Sequence, residues 1–570
     1  MSVSPHLANI RRFDLSRIWL RKDVLTASLA LNLLGLMMPI AVLQVYDRVL
    51  RNQSYDTLWA LTAILCAVIA MEFFLRCLRS LILGQAGARY DHRMSLTAFA
   101  RLLDTDLQYF ERQTANAYVD EFRAIQRVKE FYAQQALTLV ADLPFLLVFF
   151  CLIVFIAGWL AVIPLIFVAA FVAVAYEIAK RTREAAEARD EADQHRYNFL
   201  IESLSGIQTV KTLAMERIMS ARHERLQKTS ASVVERLTNI NTQAQGLSAF
   251  FAQGATITIV GAGAPVVVSG ALSLGSLAAT MMLTGRMLQP IVRGFSIWTK
   301  YESVRLMESK IEVLFEQPLE RLSGAPLQQR MEGEIVFDNV SFRYPDADHD
   351  IVANLSLEIA PGEMIGLSGA NSCGKTTLLF LINGLLSPTS GRILLDGVDL
   401  QTISLDHVRA QVGFAPTEGT LFTGSYLDNL TMFQPGQINN AIEIARSLGL
   451  DHYLARLPDG LKTVVGSNGG TPEGVRQRIA IARALVTNPK VLLFDKAYKS
   501  LDHESDLRLL QTVESLKNRK TVIMVAERPS YLKLCDRLFT MQDGGLVETA
   551  HDALRVSRHA PPLVTAGGAA

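Results

Sequence analysis

The sequence has little of what most soluble functions need. Only 19% of its 570 residues are charged and the net charge is +1, so no global field favours a polyanionic partner. It also lacks a dense Lys/Arg tract and a base-stacking motif, so no nucleic acid is expected among its partners. Five cysteines (Cys66, Cys77, Cys151, Cys373 and Cys535) stand apart, without the paired spacing of a zinc site or a disulfide framework. They read as small apolar residues. No small-residue cleavage site follows the first apolar run, so that run is expected to stay in place rather than act as a removable leader. There is no internal repeat and no long low-complexity tract.

What the chain has instead is apolar length. Hydrophobic residues make up 50% of it, too many for an ordinary soluble protein of this size. Arg11, Arg12, Arg17, Arg21 and Lys22 precede the uncharged stretch Val24 to Tyr46, which can cross a hydrocarbon core of roughly 30 Å. Positive charge on that side places the N-terminus in the cytoplasm. Five more apolar runs follow, at Thr57 to Leu83, Ala136 to Ala157, Trp159 to Ala179, Leu247 to Leu272 and Leu274 to Val292. Six spans are therefore expected. The long polar connections Gly84 to Gln135 and Lys180 to Gly246 have helical periodicity and fall on the cytoplasmic side, as extensions of the membrane helices. Polar turns near Thr114 to Val119 and Met215 to Met219 are candidate coupling segments. Ionisable groups in or near the spans are Glu72, Arg76, Asp142 and Arg286. An i, i+4 pair accounts for Glu72 and Arg76, and Arg286, the deepest, is a candidate for the translocation path.

From about Gly333 the pattern becomes α/β, with strand-like EIVFDNVSF, GEMIGLSG, GRILLDG, VGFAP, KVLLFD and TVIMVA separated by helical stretches. The expected fold is an all-α membrane domain of six helices (1–317), a linker (318–330), a cytosolic α/β P-loop nucleotide-binding domain (331–552) and a disordered tail (553–570). Gly369-Ala-Asn371-Ser372-Cys373-Gly374-Lys375-Thr376 fits G-x-x-x-x-G-K-[ST], follows the apolar strand Met364 to Ser368 and opens the helix Thr376 to Asn383, with Thr377 a further candidate for the nucleotide. In such a loop backbone N–H groups cradle phosphate oxygens, Lys375 neutralises the outer phosphates and the Thr376 hydroxyl ligates Mg²⁺. ATP and Mg²⁺ are the implied cofactors. Asp495, ending VLLFD, is placed to meet the metal through water, and Tyr344 in FRYP offers an aromatic face to adenine.

The order of these features, with QRIAIARAL, LLFD, SLD and TVIMVAERPS after the phosphate loop, resembles ABC exporters over nearly the whole chain. The segments MMPIAVLQVYDRVLRNQSYDTLWAL, VADLPFLLVFF and IESLSGIQTVKTLAMER are similar to the ATPase subunit of bacterial type I protein secretion systems, in the short class without a peptidase-like N-terminal domain. The resemblance implies a half-transporter of the bacterial inner membrane, working as a homodimer or a heterodimer with a second half-transporter. Its partners would be membrane lipid, a membrane-fusion protein, an outer-membrane channel and a secreted RTX-type polypeptide.

The departures fall where that family hydrolyses ATP. Lys496 stands at the position of the catalytic Glu, Glu527 at that of the γ-phosphate-contacting His, and Thr417 at that of the Gln after VGFAP. A cation cannot serve as general base near neutral pH. The L-S-G-G-Q signature reads Thr471-Pro472-Glu473-Gly474-Val475, leaving Gly474 alone to serve the site across a dimer, while Asp502 of SLD is retained. ATP binding with weak or absent hydrolysis is expected. A non-hydrolytic regulator or scaffold, and an exporter of peptide or lipid, remain as alternatives.

Overall fold

The computed structural model describes residues 22–132, 137–320, 331–345, 347–466 and 470–550. The basic residues before Lys22, most of the expected linker and the expected disordered tail lie outside them. The chain forms two compact units, one comprising the chain up to Leu103 with Gln113–Gln317, the other Asp104–Arg112 with the chain from Pro318.

The first unit is helical: α1 (Lys22–Gln44), α2 (Tyr55–Leu103), α3 (Ala115–Glu130), α4 (Leu137–Ala157), α5 (Val162–Ser205), α6 (Glu216–Val268) and α7 (Leu274–Glu316). Among the described residues four continuous stretches are long and apolar enough to cross a membrane, Asp23–Asn52, Tyr55–Leu103, Thr138–Ser205 and Glu216–Val268. This differs from six separate runs for two physical reasons. The third stretch holds two of them, divided only by the 3-10 turn Gly158–Ala161, where Gly158 takes a φ of +55°. The sixth lies in α7, whose apolar character is diluted by Arg286, Gln289 and several Ser, Thr and Gly residues. The helices bear large apolar side chains exposed on their outer faces, among them Phe73, Leu147 and Phe155. Lipid is the solvent that such faces fit.

Helices α2, α5 and α6 run on well past their apolar runs, as the periodicity of the long connections predicts. The turns fall elsewhere than expected. Residues 115–119 already belong to α3, with Thr114 as its N-cap, and the break comes before them; likewise Glu216 opens α6, and the bend is at Leu213–Met215. Asp104–Arg112 is held by main-chain bonds to the chain after α7, with Asp106 N donating to Pro318 O at 3.1 Å and Glu320 N to Asp104 O at 2.7 Å. Glu320 is in turn gripped by both terminal nitrogens of Arg409, each at 2.9 Å.

Polar groups tie the membrane helices together. The Asp142 carboxylate of α4 is buried; it accepts a hydrogen bond from Asn32 Nδ2 of α1 at 2.8 Å and faces Arg293 of α7 at 3.6 Å. Such an acid survives in a span because it is partnered. Asp47, just beyond α1, accepts from Gly275 N at 3.0 Å and from the Ser273 hydroxyl at 2.5 Å, so a carboxylate sits on the N-terminus of α7. Glu72 and Arg76 form the expected i, i+4 ion pair on an exposed face of α2.

The second unit carries a four-stranded antiparallel sheet ordered β2-β1-β4-β5 and a six-stranded one ordered β10-β9-β3-β8-β7-β6. Here β1 is Ile335–Phe342, β2 Val352–Ile359, β3 Met364–Gly369, β4 Ser390–Leu395, β5 Val398–Asp399, β6 Val412–Ala415, β7 Val491–Asp495, β8 Thr521–Val525, β9 Arg537–Gln542 and β10 Gly545–Glu548. Within the larger sheet β3, β6, β7, β8 and β9 are parallel. Buried on both faces, its central strands read as continuous apolar runs, which is why KVLLFD and TVIMVA stand out in the sequence. Parallel order brings the C-terminal ends of β3, β8 and β7 to one edge, where ligands bind in such sheets.

Candidate nucleotide site

Strand β3 leads into the phosphate loop, and α8 (Lys375–Ile382) leaves it. The loop turns on residues of positive φ: Gly369 at +137°, Ser372 at +62° and Gly374 at +104°. At Gly369 a β-carbon would stand 2.7 Å from Met541 O, and at Gly374 it would meet Ile351 Cγ2 at 2.6 Å, so neither position accepts a side chain. Ser372 is the exception, a non-glycine residue in left-handed backbone, a conformation that the motif does not signal because its pattern leaves the residue type free there. Ser372→Gly is expected to relieve this strain against a greater loss of chain entropy, for a net gain of about 0.5 kcal/mol. Differential scanning of the detergent-solubilised protein should show the melting transition of the second unit raised by about 1–2 °C.

One cavity of about 200 Å³ collects most of the residues singled out from the sequence: Tyr344, Asn371, Ser372, Gly374, Lys375, Thr376, Thr377, Asp495 and Lys496. Thr376 Oγ1 lies 2.8 Å from Asp495 Oδ2, the two oxygen ligands expected for Mg²⁺. Lys375 Nζ donates to Gly369 O at 3.0 Å and Ala370 O at 2.5 Å, and Cys373 Sγ stands 3.3 Å away. The Tyr344 hydroxyl is 3.2 Å from Thr377 Oγ1, and its ring packs edge-on against Phe342, which fixes the aromatic face at the cavity mouth. Ile351 completes the wall beside Tyr344; a lone aliphatic residue before a strand carries no motif, so only its contact with Gly374 reveals it.

Lys496 and Glu527, from the ends of neighbouring strands β7 and β8, form an ion pair at 2.5 Å. Their mutual hydrogen bond raises the Lys496 pKa and lowers that of Glu527, so both stay charged. The Glu527 main-chain N–H donates to the Tyr498 hydroxyl at 2.8 Å, which fixes the end of β8 beside the pair. Thr417 Oγ1 donates to Asp495 O at 2.9 Å and so braces the acidic strand end.

Gly474 and Asp502 are not among the residues lining this cavity. Gly474 lies in the first turn of α9 (Glu473–Val486), where the Glu473 carboxylate accepts from the Ser500 hydroxyl. Hydrogen bonding from Ser505, reinforced by Arg478, holds the Asp502 carboxyl below its ordinary range. Behind them, buried Gln477 donates to Pro416 O at 2.7 Å and anchors α9.

The membrane unit holds a separate cavity of about 1060 Å³. Among its lining residues from α7, Gly285, Leu288, Gln289, Val292, Arg293 and Ser296 follow the spacing of one helix face. Arg286 lies a step round the helix and packs on α1, where a β-carbon at Gly35 would fall 2.4 Å from its Nη1. Arg293 and Lys300 are the α7 cations among the residues lining this cavity, and depth in the span alone does not single out either.

A phosphate loop between a buried strand and a helix, an acid two strands away at its Thr, and a mixed helical unit of apolar spans define a nucleotide-binding membrane transporter of ABC architecture. Residues 24–291 match the ABC transporter transmembrane region and residues 352–499 the ABC transporter family. The chain belongs to the ABC transporter family and is a multi-pass membrane protein. It is 32% identical to the alpha-hemolysin translocation ATP-binding protein HlyB of Escherichia coli O157:H7, over 92% of this chain and 75% of that one. The leukotoxin translocation ATP-binding protein LktB of Mannheimia glucosida is 31% identical over 94% of this chain and 76% of its own. A bacterial Atm1-family ABC exporter with ATP bound shares the fold at a TM-score of 0.80, with 22% identity, 93% of this chain covered and 96% of the other.

Proposed function

We propose that this chain is the ATP-binding half-transporter of a type I secretion-like exporter in the bacterial inner membrane, moving a polypeptide while hydrolysing ATP weakly or not at all. The observation that carries the transport reading is the similarity to toxin translocation ATP-binding proteins along both units. The observation that carries the reading of impaired hydrolysis is the Lys496–Glu527 pair, which puts an ammonium where a general base is needed.

The site suits Mg-ATP: the phosphate loop has no room for β-carbons at Gly369 and Gly374, and Thr376 and Asp495 converge their oxygens. Bound Mg-ATP would supply the free energy that separates two states of the transporter. The phosphate loop would hold the phosphates, Tyr344 would face the base, and Thr376 with Asp495 would hold the metal. In the wider assembly the subunit would pair with itself or a second half-transporter, with the nucleotide-binding unit and N-terminus cytoplasmic. A membrane-fusion protein and an outer-membrane channel would complete the path.

Deleting the gene and comparing secreted proteins by mass spectrometry tests the transport reading. Loss of one or a few polypeptides from the medium, restored by the intact gene, is expected. An unchanged secreted set under conditions where the chain is expressed would overturn it.

A further inference from the structure

The phosphate end of the nucleotide cavity contains a second cation besides Lys375. Lys496 directly follows Asp495, whose carboxylate meets the Thr376 hydroxyl at the expected metal position. A Mg²⁺ held by Thr376 and Asp495 would neutralise the outer phosphates, and Lys496, next to Asp495, would stand beside them. Lys496 Nζ also stands 3.2 Å from Asn371 Oδ1 of the phosphate loop, on the same side. Lys496 lines the cavity, whereas Glu527 is not among the lining residues.

The two partners differ in what it takes to separate them. The Lys496 side chain is 22% exposed and that of Glu527 56%, so the carboxylate is the one that water can readily take back. A terminal phosphate carries more negative charge and more acceptor oxygens than a carboxylate, and should compete well for a cation already facing the cavity. A diphosphate would leave that ammonium with Glu527.

We propose that Lys496 is a γ-phosphate ligand and that Glu527 occupies its ammonium until a nucleoside triphosphate displaces it, so that the site selects ATP over ADP. This rests on the reading of the cavity as an ATP site. It gives Lys496 a binding role in place of the lost base, and it makes Glu527 a built-in competitor of the outermost phosphate.

The test is titration of Mg-ATP and Mg-ADP into the full-length protein in lipid nanodiscs, for the wild type, Lys496→Met, Glu527→Gln and the double variant. Lys496→Met should weaken ATP binding by about 10–100-fold and ADP binding by less than about threefold. Glu527→Gln should tighten ATP binding by about fivefold, leave ADP unchanged, and lose its effect in the Lys496→Met background. Equal shifts for ATP and ADP, or no shift in either single variant, overturn the proposal while leaving nucleotide binding intact. Wild-type protein that binds neither nucleotide overturns the ATP-site reading itself, and the proposal with it.

Discussion

Lys375→Ala is expected to weaken Mg-ATP binding by about 100-fold, the equivalent of about 3 kcal/mol for removing a cation from the phosphates. Lys375 is buried at the mouth of α8, and its ammonium is the one the loop itself encloses, between Gly369 O and Ala370 O. Lys496 does not replace it, because its ammonium lies against Asn371 Oδ1 and Glu527 rather than within the loop carbonyls, and so is set for a different phosphate. Fluorescent-nucleotide titration of the purified variant checks the loss, with the melting transition as a control for folding. An affinity within about threefold of the wild type would mean that this loop is not the phosphate site. Secretion should fail in the same variant, since the transport reading needs nucleotide even where cleavage is slow.

The second large effect is a gain. A variant carrying Pro472→Ser, Glu473→Gly, Lys496→Glu and Glu527→His is expected to hydrolyse ATP at least about 100-fold faster than the wild type, the usual worth of a positioned general base. The first two changes remove a residue without an N–H and an anion from the start of α9, and Ser at the N-cap now held by Pro472 also suits the helix. The last two replace the Lys–Glu pair with the acid–imidazole combination that the family resemblance implies. Phosphate release from protein in nanodiscs measures the ratio. Wild-type turnover equal to that of the variant would show that the present arrangement already cleaves ATP, and the reading of impaired hydrolysis would be wrong.

Much of the nucleotide site is legible in the sequence because it is local. The loop from Gly369 to Thr376 is contiguous, and Asp495 ends a strand whose buried faces make it conspicuous. The Lys496–Glu527 pair follows from two substitutions at the ends of strands that lie side by side, β7 and β8. Ser372 is legible as a loop residue, but its strain is not, since that is a property of backbone angle and not of residue type. In the membrane unit, apolar length marks the spans but not their neighbours. That Asn32 and Arg293 share Asp142 depends on how three helices pack, and that Arg286 turns to Gly35 while Arg293 faces the cavity depends on helix rotation. The bonding of Asp104–Arg112 to Pro318–Glu320 joins stretches some two hundred residues apart, beyond any local signal.

The carboxylate of Asp47 on the first turn of α7 has a mechanical meaning. A β-carbon at Gly275 would lie 2.6 Å from Asp47 Oδ1 and 2.7 Å from Leu43 O, so the start of α7 packs directly on that carboxylate and on the main chain of α1. The far end of the first span and the near end of the last are thereby riveted, and any rocking of the helices must carry that corner as one rigid piece and find its hinge elsewhere along them.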